Sequence, residues 1–185
     1  MSKSKLLVLL CALAPAFAMA QDTQTDNHTI GITIPSVALV DIEPSASKNI
    51  TMNFTAPTEA GLPIEAPAPN NTLWLNYSSI KDASNPTRTI SVKLNALVTG
   101  VDIKVTAAAA AGSGDGTLGT PSASLVLTAT DQPIITGIGS AYTGNGANNG
   151  HNLTYELEVG SATASYADLE ASTTSATVVY TISDN

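Results

Sequence analysis

Arg88-Thr89-Ile90-Ser91-Val92-Lys93-Leu94 is the stretch from which the fold is read. Ile90, Val92 and Leu94 alternate with Thr89, Ser91 and Lys93, a period of two that fits a strand with one buried face. Val101-Asp102-Ile103-Lys104-Val105 repeats the pattern with charge on the outer positions, as a half-buried antiparallel strand requires. Working outward, similar runs occur at 29–34, 37–42, 49–54, 72–77, 124–128, 152–159 and 177–182. Threonine and β-branched residues dominate them, and Gly, Pro, Asn and Asp separate them. The expectation is an all-β chain, a single Ig-like antiparallel β-sandwich of about nine strands.

Helical signals are weak. Ala107 to Ala111 is too short to nucleate a helix alone, and Tyr166 to Ala171 suits a single turn. Three stretches read as loops. Residues 56–71 hold Pro57, Pro63, Pro67 and Pro69, which lack the donors a central strand needs. Residues 112–119 and 137–150 are rich in glycine, the latter interleaved with asparagine. No internal repeat or composition break divides the chain.

The chain starts with a pattern for export. Lys3 and Lys5 precede an apolar run from Leu6 to about Phe17, and Ala18-Met19-Ala20 offers a small-x-small cleavage site. The run is shorter than a membrane span. Residues 1–20 therefore read as a signal peptide, with the mature chain starting at Gln21. The single cysteine, Cys11, lies within that signal. Disulfides and cysteine chemistry are thereby excluded from the mature form. Only Lys48, Lys81, Arg88, Lys93 and Lys104 then face fifteen acids. That balance argues against nucleic-acid or anionic-lipid binding and suits a soluble secreted surface.

Catalytic constellations are hard to find. His28 and His151 have no ligand partners at metal-binding spacing, and both read as exposed or capping residues. The 112–117 glycines lack a phosphate-binding lysine, and Asp115 lacks the acid ladder of a calcium loop. Glu156 and Glu158 share one strand face, where solvation explains them. There is no Gly-x-Ser-x-Gly elbow. The expectation is no enzyme, no cofactor and no metal. A glycan site is less easily dismissed. Trp74 between Leu73 and Leu75 reads as core, with Tyr77 on the opposite face. Tyr142 sits in the 137–150 loop beside Asn145 and Asn148, an aromatic with amide partners that suits a carbohydrate. Six Asn-x-Ser/Thr sequons are assigned no role.

Two alternating runs flank the mature chain: Ile30, Ile32 and Ile34 near its start, and Val178, Tyr180 and Ile182 near its end. With the export signal, the absence of mature cysteine and the acidic, threonine-rich strands, this layout resembles bacterial fimbrial subunits of the chaperone–usher type. The cysteine-free alternate pilin class is nearest. The resemblance implies a pilin-like sandwich (residues 36–185) preceded by an extension (21–35) donated to a neighbouring subunit. Ile30, Ile32 and Ile34 would be donor knobs, continued by Val37 and Leu39, and Val178, Tyr180 and Ile182 would line the acceptor groove. It further implies a surface-filament homopolymer, a periplasmic chaperone and an outer-membrane usher. Two features depart from the family: Tyr180 is followed by five residues, and Val37 directly after Pro35 also lets the first run be an ordinary edge strand. A self-complete adhesin or carbohydrate-binding sandwich is the alternative.

Overall fold

The computed structural model describes residues 24–161 and 163–185. The expected signal peptide, Cys11 and the mature start at Gln21 lie outside them. The chain divides into two units between Thr33 and Ile34. Residues 24–33 carry no strand. The second unit is all-β: β1 (Val37–Glu43), β2 (Asn70–Ile80), β3 (Arg88–Leu94), β4 (Val101–Ala107), β5 (Asp115–Pro121), β6 (Leu125–Val126), β7 (Gln132–Tyr142), β8 (His151–Val159) and β9 (Val178–Asp184).

All pairings are antiparallel, in the order β6-β4-β8-β2-β7-β3-β9, with β1 added to β2 and β5 to β7. β2 makes the corner. Its Asn70–Leu75 half pairs β8, whereas Ser78 and Ser79 pair Tyr142 and Ala141 of β7. The ladder thus becomes two leaves, β1-β2-β8-β4-β6 and β5-β7-β3-β9, whose apolar faces share one core.

Period two explains which residues of β2, β3, β4 and β8 fill it, whereas β7, irregular in register, buries the adjacent Ile134 and Ile135 together with Ile138. From β2, β4 and β8 come Leu73, Leu75, Tyr77, Val105, Leu153 and Tyr155; Ile90, Val92, Leu94, Ile134, Ile135 and Ile138 come from β3 and β7. Hydrogen bonds cross between the leaves: Tyr155 and Tyr180 share one between hydroxyls at 2.7 Å, and the Tyr77 hydroxyl donates to the Leu118 carbonyl.

Nine strands is the expected number, but two of the expected ones are absent and two others take their place. Residues 29–34 and 49–54 alternate but enter no ladder. Ile50 and Met52 still pack on the core, so burial there follows the pattern without strand pairing. Conversely, the glycine-rich stretches read as loops overlap β5 and the second half of β7. Gly116 shows why: at φ 92° a Cβ would lie 2.2 Å from the Ser140 carbonyl, so glycine lets β5 close on β7. The alanine run ends β4 rather than forming a helix, and Tyr166–Asp168 makes the single short turn expected near there.

Candidate functional site

Ile30, Ile32 and Ile34 are 70%, 80% and 75% exposed. Their alternation would suit one face of a strand, yet no strand partner takes it up among the described residues. Directly after Pro35, Ser36 and Val37 enter the folded sandwich. β1 pairs β2 along its whole length, from Val37 opposite Ile80 to Glu43 opposite Trp74. Val40 and Ile42 face the core, while Leu39 points outward and stays exposed. Val37 and Leu39 are therefore part of the chain's own sheet.

At the other terminus, Val178, Tyr180 and Ile182 of β9 are half-buried and pack against the core. Among the described residues β9 pairs only β3, and it lies against β1 without a ladder between them. Tyr180 is further held by Tyr155. Burial pushes the Tyr155 hydroxyl up to about 12 and raises that of Tyr180 well above its ordinary value.

Arg88 joins these two ends. It occupies the inward parity of β3 with Ile90, Val92 and Leu94, and is 2% exposed. Nε donates to Asp184 of β9 at 2.6 Å, Nη2 to the Ser36 hydroxyl at 2.9 Å, and Nη1 to Ser79 Oγ and the Ile80 carbonyl, each at 3.1 Å. Nη1 also reaches the Val37 carbonyl. Ser36 in turn donates to the Ile80 carbonyl at 3.1 Å. A charge this buried is tolerable only when it is hydrogen-bonded, and each of its three nitrogens has at least one partner. The residue went unnoticed as a site in sequence because arginine reads as surface. Its parity with Ile90 was the available signal.

A second feature lies on the outer face of the corner. Leu39, Ser78 and Tyr142 are cross-strand partners on β1, β2 and β7, so they form one row on one face. With Asp41, Asn76, Gly144 and Asn145 they line a shallow, open groove of about 440 Å³. Tyr142 is 52% exposed and ends a strand instead of sitting in a loop. Asn145 shares the groove with it; Asn148, in a left-handed turn at φ 68°, does not line it. The expected trio is thus only partly brought together. Asn76 is 95% buried: its Nδ2 donates to the Asn149 carbonyl at 2.6 Å, and its Oδ1 has no hydrogen-bond partner among the described residues.

Two aromatic and imidazole expectations need correcting. Trp74 is half-buried on the outer face beside Asn152 and Glu43, because Leu73 and Leu75 take the inward positions. His28 is exposed, but His151 is completely buried. It stacks on Tyr77 with ring centres 5.7 Å apart, and its Nδ1 and Nε2 meet the Ala108 carbonyl at 2.8 Å and the Tyr77 hydroxyl at 3.2 Å. Burial lowers its pKa against the opposing pull of the Ala108 and Leu118 carbonyls, so the neutral ring is favoured.

Among the described residues no group of three or more His, Cys, Asp or Glu could hold a metal ion. No helix among them is long and apolar enough to cross a membrane. Glu156 is exposed, and Glu158 pairs with Lys104 across the β4–β8 ladder. Comparison with family models, curated proteins and solved structures finds no match.

Proposed function

We propose that this chain is a secreted, non-catalytic structural subunit of a bacterial extracellular filament, fimbria- or pilus-like, assembled by β-strand donation. The observation that carries the proposal is the exposed row Ile30, Ile32 and Ile34 on a segment with no ladder partner among the described residues. Burying each isoleucine would contribute about 1.5–3 kcal/mol, a strong drive to find an apolar groove. A donated strand would satisfy edge amides at the same time. Support on the receiving side comes from β9, which is paired on one edge only and turns Val178, Tyr180 and Ile182 toward the core. The core-packed but unladdered stretch 49–54 adds a second place where backbone groups could accept a partner. Export through the periplasm, with a chaperone covering the apolar segment and an outer-membrane usher, belongs to the same proposal.

The test compares protein starting at Gln21 with protein starting at Ser36, by light scattering and electron microscopy. Strand donation predicts filaments or heat-resistant oligomers from the long form and a folded monomer from the short one. Monomers from both would overturn it.

The groove favours a second reading, a self-complete adhesin or carbohydrate-binding module. Tyr142 offers a half-exposed ring beside Asn145 and Asp41, a stacking surface with polar neighbours. A Tyr142→Ala variant that loses binding on a glycan array, in a protein that stays monomeric, would support this reading over the first.

A further inference from the structure

The 143–150 loop contains two Asn-Gly pairs, Asn145-Gly146 and Asn149-Gly150, four residues apart. Identical in sequence, they occupy opposite chemical situations. Asn149 is clamped. Its Oδ1 accepts from Ser113 N at 3.0 Å and Ser113 Oγ at 3.2 Å, and its Nδ2 donates to the Asn145 carbonyl at 2.9 Å. The next amide is engaged too: the buried Gly150 donates its N–H to the Ala111 carbonyl at 2.9 Å, in an isolated β-bridge. Gly150 cannot swing, since a Cβ there would already lie 2.3 Å from the Leu75 carbonyl.

Asn145 is the reverse. It is exposed, and its side chain makes no hydrogen bond among the described residues. Gly146 N likewise donates to nothing among them, and nothing lies within 4 Å of where its Cβ would be.

We infer that Asn145 is a site of spontaneous covalent modification in the folded protein, whereas the fold protects Asn149. The reaction is intramolecular. Gly146 N attacks Asn145 Cγ, the N–Cγ bond forms, the Cγ–Nδ2 bond breaks, and ammonia leaves with the amide proton. Water then opens the five-membered imide at either carbonyl, giving aspartate or isoaspartate at position 145. No oxidant, enzyme or metal is needed. Ring closure needs a free amide nitrogen and a side chain able to turn onto it, a proximity requirement that Asn145 can meet and Asn149 cannot.

Conversion would place a new carboxylate in the groove that already holds Asp41 and Tyr142. The isoaspartate form would also displace the Asn145 carbonyl that accepts from Asn149, loosening the loop at the groove's rim. The inference is independent of how the chain assembles.

The experiment incubates the native full-length secreted form in warm, mildly alkaline buffer and maps both sites by peptide mass spectrometry with isoaspartate discrimination. A second sample is held in urea. The expected result is conversion at Asn145 at least about tenfold faster than at Asn149 in the native protein, a ratio needing only a small difference in barrier. In urea the two rates converge, because the clamp on Asn149 is lost. Equal rates at both sites in the native protein would overturn the inference. So would an Asn145 that converts only in urea, or an Asn149 that stays slow there.

Discussion

Arg88 holds three strands and the entry of the chain into β1 with one side chain, through Asp184, Ser79, Ile80, Val37 and Ser36. Removing it leaves two carbonyls, two hydroxyls and a carboxylate to find other partners. Arg88→Ala is expected to cost about 3–5 kcal/mol of unfolding free energy, read by urea titration. Asp184→Asn should cost about 1 kcal/mol or less, since that carboxylate is 45% exposed to water. Equal losses from the two would mean the ion pair, not the guanidinium's other bonds, does the holding. His151 gives the residue scale its pH dependence. Its folded pKa lies below the ordinary value of about 6.5, so the unfolded chain takes up a proton first as pH falls. The stability from the neutral ring is therefore fully present above about pH 6.5 and is lost as pH drops below it. A His151→Gln variant should be less stable at neutral pH yet show a flatter stability profile from pH 7 downward. An unchanged slope would assign that acid sensitivity to the carboxylates instead.

At the scale of elements, the N-terminal segment and β9 differ in what they contribute to folding. Ile30, Ile32 and Ile34 are exposed, so replacing all three with serine should leave monomer unfolding within about 0.5 kcal/mol of the parent. The same triple replacement should abolish polymers on electron micrographs if these side chains are donor knobs. β9 behaves oppositely, because it belongs to the core. Tyr180→Phe removes the hydroxyl partner of the buried Tyr155, and should cost about 1–3 kcal/mol of unfolding free energy in a urea titration. The strand pattern was legible wherever an apolar face alternated, as in β1, β2, β3, β4, β8 and β9. At 29–34 and 49–54 the alternation is present, but among the described residues these stretches enter no ladder. The pattern was silent at β5 and β7. There, Gly116 and Gly119 look like turn residues unless one knows that the β7 backbone approaches too closely for a Cβ, and Gly137, at φ 71°, is a strand residue in a left-handed conformation. The candidate sites divided the same way. The exposure of the isoleucine row was consistent with its pattern, but the partnership of Tyr142 with Leu39 needed the β1–β2–β7 register.

The whole molecule is built from pairings distant in sequence: β1 with β2, β3 with β9, β2 with β8. Such a topology closes long loops before most contacts form, so folding should take milliseconds to seconds. Stopped-flow fluorescence of Trp74, half-buried on the outer face of β2, would follow it. A microsecond phase carrying the full amplitude would contradict that expectation. The amino-acid sequence by itself determined what depends on local spacing and composition. Period-two runs gave an all-β class and most of the core, because side-chain alternation is a property of a single strand. The two glycine-rich strands, the corner at Ser78 and Ser79, the burial of Arg88 and His151 and the outward turn of Trp74 were decided only by the tertiary structure. So was the contrast between Asn145 and Asn149. Each of these depends on which backbone lies alongside, a relation between residues tens of positions apart that no local pattern encodes.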